Sequence, residues 1–347
     1  MKKKICIVSA VVLIMLIAAA CGANENDEPA SSGSTGQIQN ESTDNGNQLA
    51  GEGANTATEE QEDANGTREI QYLGESYTVP TTVEHIVITG SLESMEDALV
   101  LEVKPTGAMT VGGEFPPLFE SITSDATGIG EKTQPSLDTI LTLKPDVILA
   151  STKFPAETLE KLEKISTTIP VSHISTDWEA NLKLLAELTG KEELTEQVLQ
   201  EYGNTVQAVR EKVEPLFRDK TVLAVRIRAG NIYIYPGNVF FNPSIYEDLG
   251  AEVPDEVKQA KAQEMVTLEK LSEMNPDYLF VQFSEDENQD APQALEDLQN
   301  NPIWQSIQAV KEGHLFINLV DPLAQGGTFY SKTTFLEAIQ SSSLMNE

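Results

Sequence analysis

One stretch constrains this chain more than any other, because it is written twice. Residues 136–151 read SLDTILTLKPDVILAS, and residues 267–282 read TLEKLSEMNPDYLFVQ. At an offset of 131 positions Leu137 falls on Leu268, Asp138 on Glu269, and Pro145-Asp146 on Pro276-Asp277. Each copy places a Ser or Thr before an acid, as at a helix start, and then apolar residues at helical spacing through Leu143 or Met274. A residue before proline avoids the α region, so Lys144-Pro145 and Asn275-Pro276 predict where the two helices end. The apolar runs that follow, 147–150 and 278–281, read as strands buried on both faces. A helix feeding a buried strand, used twice, predicts two similar α/β lobes. The cleft that two lobes make is where small ligands bind.

A chain of 347 residues is long enough for two lobes with cores of their own. Residues 1–20 belong to neither. Lys2-Lys3-Lys4 precedes an apolar run, 5–17, that ends in Ala18-Ala19-Ala20-Cys21, the pattern of a signal peptide with small residues at its cleavage site. The run is shorter than the roughly 18–20 apolar residues that a membrane span needs. The chain's two cysteines are Cys6, within the signal, and Cys21 at its end. Cys21 follows the small residues as in a bacterial lipobox, where the cysteine carries lipid, so none is left for a disulfide, a zinc–thiolate site or a cysteine nucleophile. Residues 22–67 are rich in Asn, Glu, Gly, Ser and Thr and hold no lysine, arginine or aromatic residue. They cannot bury enough apolar surface to fold, so 21–67 reads as a tether. A net charge of −32 argues against nucleic acid as a partner and makes any basic cluster worth explaining.

The body opens with strands at 68–78 and 84–89, a helix at 91–103, a strand at 105–111 and a loop at 128–134. Residues 154–166 and 177–188 read as helices around a strand at 170–174, with Gly190 as the stop. The longest periodic run follows. Leu194, Val198, Tyr202, Val206, Val209 and Val213 recur at spacings of three and four, one apolar stripe. This predicts a single stiff helix, on the order of 30 Å long, between the lobes. The partition is then 68–190 for the first lobe, 191–214 for the linking helix and 215–347 for the second. The second lobe starts with a hairpin, 221–228 and 232–235, turning at Ala229-Gly230-Asn231. Helices at 292–300 and 302–310, a strand at 314–318 and a closing helix at 331–341 complete it.

Arg226 and Arg228 alternate with Val225 and Ile227, so on a strand both guanidiniums leave the same face. Either that face is solvated and bridged to acids, or an anion lies between the two forks and accepts from both. Lys132 precedes the first repeat, Lys261 and Gln263 precede the second, and the repeat offset carries Lys132 onto Gln263. Taken singly these are ordinary surface residues; taken together they are matching donors on loops that a cleft would bring face to face. Asp138 and Glu269 occupy the first turns of the repeat helices, where they complement the helix dipoles and can also receive a partner's arginines. Asp146 and Asp277 shape the turn from helix to strand. His85, His173 and His314 lie far apart and read as core or surface residues rather than metal ligands. Trp178 and Trp304 fall at helical positions and read as packing residues. The chain carries no phosphate loop, no nucleophile elbow and no base–nucleophile pair, so a binding protein is expected, not an enzyme.

Extended blocks give the chain a family resemblance: ITGSLESMEDA at 88–98, PDVILASTKFP at 145–155, RIRAGNIYIYP at 226–236, KAQEMVTLEKLSEMNPD at 261–277, NPIWQSIQAVK at 301–311 and DPLAQGG at 321–327. It resembles the siderophore-binding lipoproteins of Gram-positive ABC importers over nearly all of its length after about Arg68. The resemblance implies two Rossmann-like α/β lobes on a rigid helix, the class III substrate-binding fold. It implies a lipid on Cys21, the outer face of the cell membrane, and a monomer that meets an ABC permease through Asp138 and Glu269. The implied ligand is a ferric tris-catecholate such as bacillibactin or enterobactin, held by Lys132, Arg226, Arg228 and Lys261 with help from Gln263 and Gln282. Iron then stays within the catecholates, and the protein needs no cofactor of its own. Alternatives within the fold are a mixed or less charged siderophore, haem or cobalamin. Glu114 stands where the family's GKFP lysine is expected and predicts repulsion of a trianion unless it points away. Ala229 stands where a polar side chain is expected.

Overall fold

A computed structural model describes residues 66–346. The expected signal segment 1–20, Cys21 and nearly all of the 21–67 tether lie outside the described residues. The first sheet has six strands, in the order Gln134–Pro135, Thr127–Glu131, Gly107–Thr110, Ile86–Thr89, Val147–Ser151 and Thr167–Val171. All neighbours are parallel except the two-residue edge strand. The second sheet has five strands, Glu264–Val266, Asn231–Ile234, Val222–Arg228, Tyr278–Phe283 and Leu315–Ile317. Its first three run antiparallel and its last three parallel.

The two copies of the repeat hold equivalent places. Helix Leu137–Leu143 precedes strand Val147–Ser151, and helix Leu268–Met274 precedes strand Tyr278–Phe283. Both strands are buried at every position. Both helices end on a left-handed residue, Lys144 (φ 49°) and Asn275 (φ 43°). The following proline disfavours the right-handed conformation there, and the left-handed one closes the helix. The acid after each proline then staples the neighbouring strand. Asp146 accepts from the backbone N–H of Glu84 and of His85, both at 2.8 Å, and Asp277 accepts from that of Thr221 at 2.9 Å.

Several local readings change. Residues 68–78 form a tight hairpin, Thr67–Tyr72 and Glu75–Pro80, turning at Leu73-Gly74, both with positive φ. Residues expected as a loop at 128–134 contain a strand, because Thr127–Glu131 adds to the parallel sheet beside Gly107–Thr110. The helix expected over 302–310 breaks into Pro302–Gln305 and Gln308–Glu312. The break lets Gln308 N–H donate to Asn275 Oδ1.

The linking helix, Glu192–Phe217, runs 26 residues and is about 39 Å long at 1.5 Å per residue. Its stripe packs as patterned, with Tyr202, Val209 and Val213 buried and Leu194, Val198 and Val206 against the core. Tyr202 is fixed at its tip. Its hydroxyl donates to Asp248 at 2.6 Å, the buried Lys332 ammonium lies 2.6 Å from the same carboxylate, and Trp178 packs edge-on to the ring. A second tie joins the lobes directly. Glu96, on helix Leu92–Val100 and 1% exposed, accepts from Gln325 N–H at 2.9 Å and from the hydroxyls of Thr328 and Ser331. Burial pushes its carboxyl up to about 7 against these hydrogen bonds.

Candidate functional site

Between the lobes lies a cavity of about 490 Å³. Lys132 reaches it from the turn after strand Thr127–Glu131, held by a bond from its own N–H to Thr110 O. Glu131, the residue before, accepts from Thr110 Oγ1 and from the N–H groups of Gly112 and Gly113, which fastens the glycine loop to that turn. Lys153 enters from the loop after strand Val147–Ser151 and pairs with Glu93 at 2.9 Å. From the second lobe, Arg226 and Arg228 leave the carboxyl end of strand Val222–Arg228, and Lys261 and Gln263 come from the segment before Glu264–Val266. Lys132 and Gln263, the pair related by the repeat offset, both line the cavity.

The arginines are already ordered. Glu287 spans them, 2.7 Å from Arg226 Nε and 3.3 Å from Arg228 Nε. It is positioned by its backbone carbonyl, which accepts from Ala229 N–H at the hairpin turn. Ala229 thus serves the site through its main chain. Arg228 Nη1 also donates to Gln263 Oε1, which accepts from the Tyr235 hydroxyl as well. Arg226 stacks its guanidinium 5.9 Å from the Phe240 ring. No hydrogen-bond partner among the described residues takes either Nη of Arg226. These edges remain for a guest.

Five cations and two carboxylates line the cavity, which leaves three positive charges in a protein of net charge −32. The crowding shows in Lys132. Burial first, then the charges of Lys153 and Arg226, lowers its ammonium to about 8. His173 also lines the cavity, with Nδ1 2.8 Å from Thr152 Oγ1, and burial next to Lys153 lowers its imidazole below the usual value. Among the described residues no group of three or more His, Cys, Asp or Glu is placed to hold a metal ion.

The structure brings Lys132, Arg226, Arg228, Lys261 and Gln263 together, and leaves Gln282 out. That side chain is 5% exposed, and its Nε2 donates to the carbonyls of Asp321 and Ala324 at 3.1 Å. It pairs with Arg226 in the sheet, but on a strand roofed by the 321–324 segment. It fastens that roof instead of facing the cavity. Glu114 is exposed and lines no part of the cavity. Asp138 and Glu269 are exposed, one on each repeat helix, with no hydrogen bond or ion pair among the described residues. Lys153, Glu93, Glu287 and Tyr235 escaped the sequence reading, and His173 was read as an ordinary core or surface residue. A signal for three of them existed: Lys153, Glu287 and His173 follow the carboxyl ends of parallel strands, where open α/β sheets bind ligands.

Comparison with known proteins shows the family and the fold. A model of the family described as periplasmic binding protein matches residues 89–318. The iron-uptake system-binding protein of Bacillus subtilis is 49% identical over 336 residues, covering 97% of each chain. The crystal structure of the triscatecholate siderophore binding protein FeuA from Bacillus subtilis, complexed with ferri-bacillibactin, superposes with a TM-score of 0.77 at 53% identity, over 81% of this chain and 99% of that one. Staphylococcus aureus SirA, complexed with staphyloferrin B, shares the fold at a TM-score of 0.68 and 21% identity, over 81% of this chain and 99% of its own.

Proposed function

Since this chain belongs to the periplasmic binding protein family, in its class III form with two α/β lobes on a rigid helix, we propose that it captures a ferric tris-catecholate siderophore and delivers it to an ABC permease. The observation that carries this reading is the set of five cations from two lobes on one cavity with three net positive charges. Three catecholates around a ferric ion carry three negative charges, and charge-assisted hydrogen bonds to oxygen suit the free guanidinium edges. Lys132, Arg226, Arg228 and Lys261, with Gln263 and the newly located Lys153, bind the ligand. Iron stays within the siderophore, and the protein acts by binding and release without catalytic turnover. Asp138 and Glu269 dock the permease, one on each lobe. A lipid on Cys21, after removal of residues 1–20, anchors a monomer to the outer face of the cell membrane, with 21–67 as the tether. Residues 68–190 and 215–347 form the lobes, and the link expected over 191–214 is the helix that runs on to Phe217.

Calorimetric titration tests the reading. Ferric bacillibactin binds, while the iron-free siderophore, haemin and cobalamin bind at least about a hundredfold more weakly. Absence of ferric tris-catecholate binding, or equal affinity for cobalamin, would overturn it.

A further inference from the structure

The basic cavity does not end at its arginines. It continues, past Arg226 and Arg228, into an annex of about 210 Å³ that shares Lys132, both arginines, Glu287 and Gln325 with it. The character of the walls changes there. Leu92, Val111, Leu118 and Phe119 line the annex from the first lobe and Leu323 from the second, while Asp286 joins Glu287 on its acidic side. Leu92 and Phe119 are buried, and Leu118 and Leu323 are half-buried.

Charge holds a metal–catecholate trianion in the basic cavity, and an apolar wall adds nothing to that electrostatic term. Apolar wall facing water is unfavourable by about 25 cal/mol per Å², and a guest group that covers it recovers that free energy. The annex, at about 210 Å³, has room for one aryl ring or a short aliphatic chain. Three cations shared with the basic cavity and two carboxylates line the annex. The anion bound in that cavity engages the cations, so with a ligand in place Asp286 and Glu287 disfavour a further anion and accept from an amide N–H. An occupant must therefore be uncharged, and because the annex shares five lining residues with the cavity, it is reached by a group attached to the ligand already bound there.

We propose that the annex is a second subsite, taking an uncharged aryl or aliphatic arm that the siderophore carries beside its metal-bound catecholates. The proposal rests on the ferric-siderophore reading of the basic cavity and adds a preference among the ligands that cavity takes.

Two ferric tris-catecholates of equal charge, differing only in one uncharged aryl arm, test it by calorimetry. The arm-bearing complex binds the wild type at least about tenfold more tightly. Leu118→Trp fills the annex and removes that advantage, while binding of the armless complex stays within about threefold. Leu323→Trp, made from the opposite lobe, repeats the result should the first variant fail to fold. An arm that brings no gain in the wild type, or tryptophan variants that weaken both complexes alike, would overturn the subsite and leave the basic cavity standing. Failure of the wild type to bind either complex overturns the proposed function, and the subsite with it.

Discussion

Glu287 accepts from Arg226 Nε at 2.7 Å, and this contact sets how much positive charge the cleft offers a guest. The carboxylate takes the Nε edge of the arginine and leaves the Nη edge open, so it orders the guanidinium and partly neutralises it at once. Glu287→Gln keeps the shape and raises the lining from three net positive charges to four. Affinity for a ferric tris-catecholate is expected to rise about three- to tenfold and to fall more steeply with added salt. Arg228→Ala removes a guanidinium fork from the lining, and is expected to weaken binding at least about tenfold. Calorimetry at two ionic strengths reads both variants. A Glu287→Gln protein that binds more weakly with an unchanged salt slope would show that ordering of the arginines outweighs charge.

Lys132 gives the cleft a pH limit. Its ammonium titrates at about 8 because burial and neighbouring cations disfavour the charge. A bound anion favours the charged form. Below pH 8 the lysine already carries its proton and binding needs none; above it, each ligand bound takes one up. Affinity is therefore expected to be flat from about pH 6.5 to 7.5 and to decline toward tenfold per unit above about 8. Lys132→Arg, which stays charged, flattens the decline. Parallel titrations of the two proteins across pH 7–9.5 provide the check.

How much of this was legible in the sequence depends on the length scale of the signal. The repeat foretold two buried strands and two helix ends, because these are set by proline, polarity and period within one segment. Its two acids were read as shaping the turn, and only the fold shows them stapling the neighbouring strand. The strand Thr127–Glu131 was missed because its glycines and charges say loop, and only the neighbouring strand Gly107–Thr110 makes it sheet. Gln282 failed for a related reason. The resemblance implied it as a ligand residue, and it does pair with Arg226 in the sheet, but the 321–324 roof that buries it comes from far along the chain. The cations could be counted from sequence, whereas Glu287 could not be assigned to them, being one acid among many until the fold set it beside both arginines.

Glu114 illustrates what position does to a charge. In the sequence it stands in place of an expected lysine, yet in the fold it is exposed and off the cavity wall. Its effect on a trianion is long-range and screened. Glu114→Lys is expected to tighten ferric tris-catecholate binding by less than about threefold at low salt and not measurably at 0.5 M salt.

The tie between the lobes has its own pH signature. Glu96 is held at about 7 by burial, against about 4.5 in an unfolded chain. Between those values the folded protein keeps a proton that the unfolded chain has released, so stability falls as pH rises through that window and levels off above it. The contribution is on the order of 3 kcal/mol. The neighbouring Asp97, also raised by burial, acts in the same direction. Urea denaturation at pH 5 and pH 7.5 is expected to show a smaller loss of stability in Glu96→Gln than in the wild type. An equal loss in the two proteins would remove Glu96 from the account.

Asp138 and Glu269 are expected to separate capture from delivery. They are exposed, lie outside the cavity lining and form no ion pair among the described residues, so charge reversal leaves the fold and the cleft as they are. A carboxylate meeting a partner's arginine contributes through a charge-assisted contact that a lysine turns into repulsion. The double variant Asp138→Lys, Glu269→Lys is therefore expected to bind ferric tris-catecholate within about twofold of the wild type. In cells that depend on this chain for ferric-siderophore iron, the same variant is expected to lower radiolabelled iron uptake at least about tenfold. Unchanged uptake would mean that the permease reads a different face of the lobes.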